Sequence, residues 1–425
     1  MAKVTTRHSP SDMTELNTVE RQLLALVARA LFGAQSDNLP QKLSVGETQA
    51  LFAEARRQAV SAIALDGFEN PTEVMDEQLY KNWVAVSRAV ISSTDRVFRS
   101  HAFLDKLLSD AGIPYVILKG CASACSYPKP YLRIMGDVDF LVSEQDKPKA
   151  MELLERHGWK PHSESGHHIC HIAYYKEGAD RFELHFNPPG IPYDTAAEQP
   201  VREFFSDIFD TAVSLTQNGV TFRAPDVLHQ FFVLLLHIQH HLVGTGIGLR
   251  HLCDLAVFYA AHVNAPFWEN RLVPRLRAFG LYPLACTLLG AAQKYLGMPD
   301  GGVVFETDEN LKDLMIYDII NGGNFGNKNT SRAQAQFFIA DASRPVASRG
   351  IVSQSFFTLL HISNMRYPVT KRFPPLLVFT MPYDVARYFV RVLTGKRIFL
   401  GNKELAYAKE RKGFYTQLHM FEPEV

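Results

Sequence analysis

The sequence has no excess of either charge, no long apolar run and no patterned set of cysteines. Lys plus Arg and Asp plus Glu each number 44, for a formal net charge of zero. Composition therefore gives no overall electrostatic footprint for nucleic acid or an anionic membrane, and only local patches stay open. No run reaches the ~18 apolar residues that a membrane-crossing helix needs. The opening stretch, MAKVTTRHSPSDM, is polar and lacks the apolar core of a secretion signal. The five cysteines, Cys121, Cys125, Cys170, Cys253 and Cys286, are odd in number, scattered and without C-x-x-C spacing. That argues against a disulfide framework and for buried thiols in a reducing compartment. A cytoplasmic, soluble protein is the expectation. No internal repeat is evident. The 425 residues, 47% hydrophobic and 21% charged, are enough for a sizeable core and for two or three domains, or one with large additions.

Hydrophobic periodicity divides the chain. Residues 1–13 read as a disordered lead. Residues 14–112 read as helical, with apolar positions at helical spacing over Glu15–Phe32, Ser44–Leu65 and Asp76–Asp110. Residues 113–200 form an α/β unit. Its strands are expected at Tyr115–Leu118 and Asp137–Val142, its helix at Lys149–His157, and a short strand at Trp159–His162. A hairpin is expected from His168–Lys176 and Arg181–Asn187 across the turn Glu177-Gly178-Ala179-Asp180. Residues 201–425 are expected to be helical again, closing on a basic and aromatic stretch, Arg366–Leu400. There the pattern predicts a terminal helix packed on the core; the alternative is peripheral contact of Lys371–Arg397 with a membrane or a larger assembly. The fold class expected is α+β, a small mixed-sheet core between N-terminal and C-terminal helical regions.

The chemistry centres on Tyr115–Val142. Asp137 and Asp139 are two apart on a strand and project from one face, while Val138 and Phe140 point into a core. Adjacent carboxylates repel, so the pair implies a cation; the alternative is a solvated strand edge. Glu183 lies on a second strand with Phe182 and Leu184 on the opposite face and His185 assigned away from it. A carboxylate between buried positions needs a partner or a metal. Three such groups on neighbouring strands can converge on divalent cations, as phosphoryl transfer requires. Lys119-Gly120 follows the first strand, where a glycine lets backbone N–H groups approach a phosphate and a lysine adds charge. A plain turn is the alternative. Arg133, four residues before Asp137, is either a bidentate partner for a triphosphate or an exposed loop arginine. His167, His168, Cys170 and His171 alternate between strand faces and do not converge as zinc ligands. His237 and His241 share a helix face without the glutamate of a zinc-protease helix. Arg250 and Asp254, also four apart, are expected to pair along their helix.

Taken together, LKG, YPKPYLRIMGDVDFLV, FELHF and HIQHHLVGTGIGLRHLCDLAVFY resemble a bacterial family of nucleotidyltransferases, a distant branch of the DNA polymerase beta-like superfamily. The resemblance spans residues 80–260. It implies that Gly120 is the turn glycine, Asp137 and Asp139 the metal-binding pair, and Glu183 the third carboxylate. It also implies Mg²⁺ or Mn²⁺ as cofactor and a nucleoside triphosphate as donor to an unspecified hydroxyl acceptor, with Arg250 projecting to the cleft. Two departures stand out. Cys121 occupies a position usually held by a small or hydroxyl residue, and the third carboxylate is Glu rather than Asp. They support a second expectation, a nucleotide- or partner-binding module with weak or no catalysis.

Overall fold

Side-chain caps set the helix boundaries in the computed structural model, which describes residues 15–162, 171–192, 195–217, 219–329, 332, 351–395 and 401–423. Asn17 accepts from the Glu20 N–H while the Glu20 carboxylate accepts from the Asn17 N–H, and this opens α1 (Thr18–Phe32). Ser44 and Glu47 repeat the device at α2 (Val45–Arg57). The expected Ser44–Leu65 segment is two helices, because the chain turns at Ala59, at φ 58°, before α3 (Ser61–Asp66). Gln58 holds the break: its side chain donates to the Ile320 carbonyl at 2.8 Å and accepts from the Leu249 N–H at 3.0 Å. After α4 (Pro71–Val74), Asp76 caps α5 (Glu77–Asp110), a single helix of 34 residues.

The mixed sheet follows. Its strands are β1 (Tyr115–Ile117), β2 (Asp137–Val142), β3 (Lys160–Pro161), β4 (His171–Tyr175) and β5 (Arg181–His185), in the order β1-β2-β5-β4-β3. β2 and β5 run parallel, and every other pairing is antiparallel. α6 (Cys121–Ala124) joins β1 to β2, and α7 (Lys147–Arg156) follows β2. After α8 (Glu198–Phe204) comes a hairpin of β6 (Val213–Gln217) and β7 (Val220–Ala224), inside a region expected to be helical. The sequence does carry its signal, Asn218-Gly219 between two alternating runs. The chain then becomes helical in α9 (Val227–Val243), α10 (Leu249–His262), α11 (Ala265–Phe267), α12 (Val273–Ala278), α13 (Tyr282–Leu296) and α14 (Glu309–Gly322). The result is a helix-rich α+β protein with a small mixed sheet, the class expected.

Two apolar clusters sandwich the sheet. On one face Val138, Phe140, Phe182 and Leu184 pack with Val97, Phe98 and Leu104 of α5 and Leu154 of α7. On the other, Val116, Leu118 and Leu141 join a larger cluster built from α1–α3, α9, α10, α13 and α14. The N-terminal helices thus share one core with the helices after Val227. Each fully buried Phe or Leu in these clusters contributes roughly 2–3 kcal/mol.

Within the basic and aromatic stretch the expected packing on the core is not seen, whereas the later helix Asn402–Thr416 does contribute Ala408, Phe414 and Tyr415 to the core. Helix Leu377–Leu393 lies against helix Ile351–Arg366 but turns Val378, Phe379, Tyr383, Val390 and Leu393 to solvent. No helix among the described residues is long and apolar enough to cross a membrane.

Candidate functional site

The sheet face turned toward α9 carries the polar residues. Period-two alternation on β2 buries Val138 and Phe140 on the α5 side and leaves Asp137 and Asp139 on the other. On β5 the same rule buries Phe182 and Leu184 and leaves Arg181, Glu183 and His185. The parallel register sets Asp139 beside Glu183 and Asp137 beside Arg181. Antiparallel β4 then sets His171 beside His185 and the small Ala173 beside Glu183. The assignment of His185 to the other face is corrected: two residues from Glu183 on a strand, it shares that face, and its Nε2 lies 3.8 Å from Glu183 Oε2.

Asp139 is the buried hub. Its Oδ1 accepts from Lys119 Nζ at 2.9 Å and from His185 Nε2 at 3.0 Å. Lys119 sits at the end of β1 just before Gly120, whose φ of 61° turns the chain into α6. That conformation favours glycine. The Lys119 ammonium also lies 3.5 Å from His237 Nδ1 on α9, so the lysine bridges sheet and helix. Glu183 has its own partner, Arg181, at 2.5 Å, and His171 Nε2 lies 4.0 Å from it. Asp137 is left without a direct ion pair among the described residues and senses Lys119, Arg250 and Arg181 only at a distance.

Protonation follows from this crowding. Burial, then the charges of Asp139 and Asp137, push Glu183 up to about 8. Burial and the Asp139 charge likewise raise Asp137. Burial would raise Asp139 as well, but Lys119 and His185 outweigh it and hold this carboxylate well below its usual range. Burial lowers Lys119 less than Asp139, Asp137 and Glu183 raise it, so the ammonium persists. His185 is lowered by burial, which Asp139 only partly offsets. The neutral ring then donates from Nε2 to Asp139, and its buried Nδ1 has no hydrogen-bond partner among the described residues.

The donor set fits a divalent cation. Three carboxylates meet on one face, two of them raised by burial and mutual repulsion, which a cation would relieve. His171, Glu183 and His185 each offer a ligand atom within 4.8 Å of the others, so two imidazole donors stand beside the Glu183 carboxylate.

Other expected residues go elsewhere. Arg133 is buried and bidentate on Asp254, Nε to Oδ1 and Nη2 to Oδ2 both at 2.7 Å, with Tyr127 donating to the same carboxylate at 2.6 Å. Its guanidinium is committed to α10 rather than to a triphosphate. The intrahelical Arg250–Asp254 pair is absent for the same reason. Arg250 instead donates to the Ile134 carbonyl at 3.3 Å and stacks over Phe325, within electrostatic reach of Asp137. Cys121 is fully buried with its Sγ 3.3 Å from His101 Nδ1, and burial pushes its thiol up. α6 spans four residues, too short for a helix dipole to act on an anion. His237, His241 and His251 form a ring cluster, 4.5 Å between His237 and His241, and burial holds all three well below the usual histidine range. His167, His168 and Cys170 lie outside the described residues.

No curated protein matches the sequence. A solved structure that it is similar to is an antigenic nucleotidyltransferase-like protein from Paracoccidioides brasiliensis, 18% identical, with a TM-score of 0.32 over 48% of this chain and 94% of that one. Residues 45–297, more than half of the chain and all of the carboxylate face, match the family described as uncharacterised nucleotidyltransferase. The chain belongs to that family of nucleotidyltransferases.

Proposed function

We propose that the protein is a metal-dependent nucleotidyltransferase that passes a nucleoside monophosphate from a nucleoside triphosphate to a hydroxyl acceptor and releases pyrophosphate. The observation that carries this reading is the in-register meeting of Asp139 on β2 with Glu183 on β5, with Asp137 on the same face. Asp137, Asp139 and Glu183 would hold Mg²⁺ or Mn²⁺. When bound, the cation would activate the acceptor hydroxyl and neutralise charge on the triphosphate and the departing pyrophosphate. The chain's own residues do the rest. His185 orients Asp139 through its 3.0 Å hydrogen bond, and Arg181 holds the Glu183 carboxylate. Lys119 supplies a persistent ammonium to phosphate oxygens beside Gly120. Arg250, raised over Phe325, is the second cation facing Asp137 and takes the role first expected of Arg133. The acceptor, a small molecule, glycan or macromolecule, is not specified by this chemistry.

The test is retention of each labelled triphosphate on the protein with Mg²⁺ or Mn²⁺ present. Metal-dependent retention that Asp137→Asn removes is the expected result, and no retention under any condition would overturn the reading.

One observation favours a second reading. The Lys119 ammonium already neutralises Asp139 at 2.9 Å, as a built-in cation would. Under that reading the fold binds a nucleotide or a partner without catalysis, and calorimetry detects no divalent cation at this face.

A further inference from the structure

Helix Leu377–Leu393 offers a surface that the nucleotidyltransferase reading does not use. One side is satisfied: Ser363 donates to Thr380 at 2.7 Å, and buried Asp384 pairs with Arg366 of the neighbouring helix. The opposite side is apolar and open. At 3.6 residues per turn, Val378, Phe379, Tyr383, Phe389, Val390 and Leu393 all fall within an arc of roughly 140°, which places them on one helical face. Phe379 is 74% and Leu393 85% exposed, an unusual state for such residues.

Charge completes the pattern. Arg387 and Arg391 on this helix, and Lys371 and Arg372 just before it, are exposed. Asp384 is the only acid in residues 351–395, and it is buried and paired, so the exposed charge of the segment is entirely positive. In a chain of zero net charge, that is a local bias joined to an apolar stripe.

We propose that this face docks on an anionic lipid surface, the helix lying in the interface with its apolar stripe among acyl chains and its basic flank on headgroups. The 17-residue helix, about 26 Å long, carries Asp384 at its middle and Arg387 and Arg391 in its C-terminal half, so it lies on a bilayer rather than crossing it. A second copy of the chain fits less well. Self-pairing would gather the positive charge of two segments, with no exposed acid on either to offset it. Anionic headgroups supply the missing charge. The inference is independent of catalysis.

The experiment is co-sedimentation of the full chain with phosphatidylcholine vesicles with and without phosphatidylglycerol, alongside sedimentation velocity without lipid. The expected result is binding to the anionic vesicles alone, weakened by salt. F379D/L393D should abolish it, and R387Q/R391Q should weaken it roughly 30-fold. Both variants alter exposed positions, and circular dichroism and thermal melts matching the parent confirm that they fold. Protein left in the supernatant with anionic vesicles, equal binding to both vesicle types, or undiminished binding by F379D/L393D would each overturn the proposal. So would self-association that F379D/L393D removes in the absence of vesicle binding.

Discussion

Two buried charge assemblies lie close together in the chain and behave in opposite ways. At Arg133, one guanidinium meets one carboxylate in a bidentate pair, and Tyr127 fills a further acceptor position. Donors and acceptors balance there, so the cluster ties the loop before β2 to α10 and asks for nothing more. At Asp139, three carboxylates crowd one sheet face, and Lys119 and Arg181 do not neutralise all of them: Glu183 is pushed up to about 8, and Asp137 is raised with no direct ion pair among the described residues. A buried pair that closes on itself is an anchor; one that leaves charge over is prepared for a ligand.

Removing one partner from each assembly should separate them most clearly. Asp254→Ala leaves the Arg133 guanidinium buried and unpaired, and urea unfolding should register a loss of about 3–5 kcal/mol. Asp137→Asn should do the reverse. Its stability should equal or exceed the parent's, since no direct ion pair among the described residues is lost and the repulsion from Asp139 is relieved, while nucleotidyl transfer falls by about 10²–10³-fold. Equal destabilisation by the two substitutions would erase the distinction between anchor and site.

The next effect concerns pH. The Glu183 pKa is raised on folding, to about 8 from 4.5, so its contribution to the metal-free protein is fully present below the unfolded value and is lost as pH rises through about 8. A bound cation must displace that proton, so divalent-cation affinity should climb with pH up to about 8 and then level off. Calorimetric titrations across that range check it, and an affinity flat with pH would contradict the assigned protonation. The smallest effect is at Cys121. Its thiol faces His101 in the core rather than the carboxylates, so Cys121→Ser should cost about 1 kcal/mol of stability and leave transfer unchanged. An increase in transfer would instead mean that the turn position limits activity.

Period-two arithmetic made much of the site legible. It placed Asp137 and Asp139 on one face opposite Val138 and Phe140, and Glu183 opposite Phe182 and Leu184. The same rule, applied fully, brings His185 to the Glu183 face, and the Asn218-Gly219 signal marks the β6–β7 hairpin. Other features were out of reach. The partner of Arg133 is 121 residues away on α10 and was won from Arg250, which helical spacing alone would have paired with it.

By itself the sequence determined the α+β order of elements, the strand faces and the three carboxylates, because these depend on local periodicity and on which residues can face a core. Only the tertiary structure decided that β5 pairs directly and in parallel with β2, although β3 and β4 come between them in the chain, which sets Asp139 beside Glu183. It alone decided that Lys119 closes on Asp139 and that the described residues leave an apolar face of helix Leu377–Leu393 uncovered. Pairing, burial and charge balance depend on residues distant in the chain, and only the packed chain brings those together.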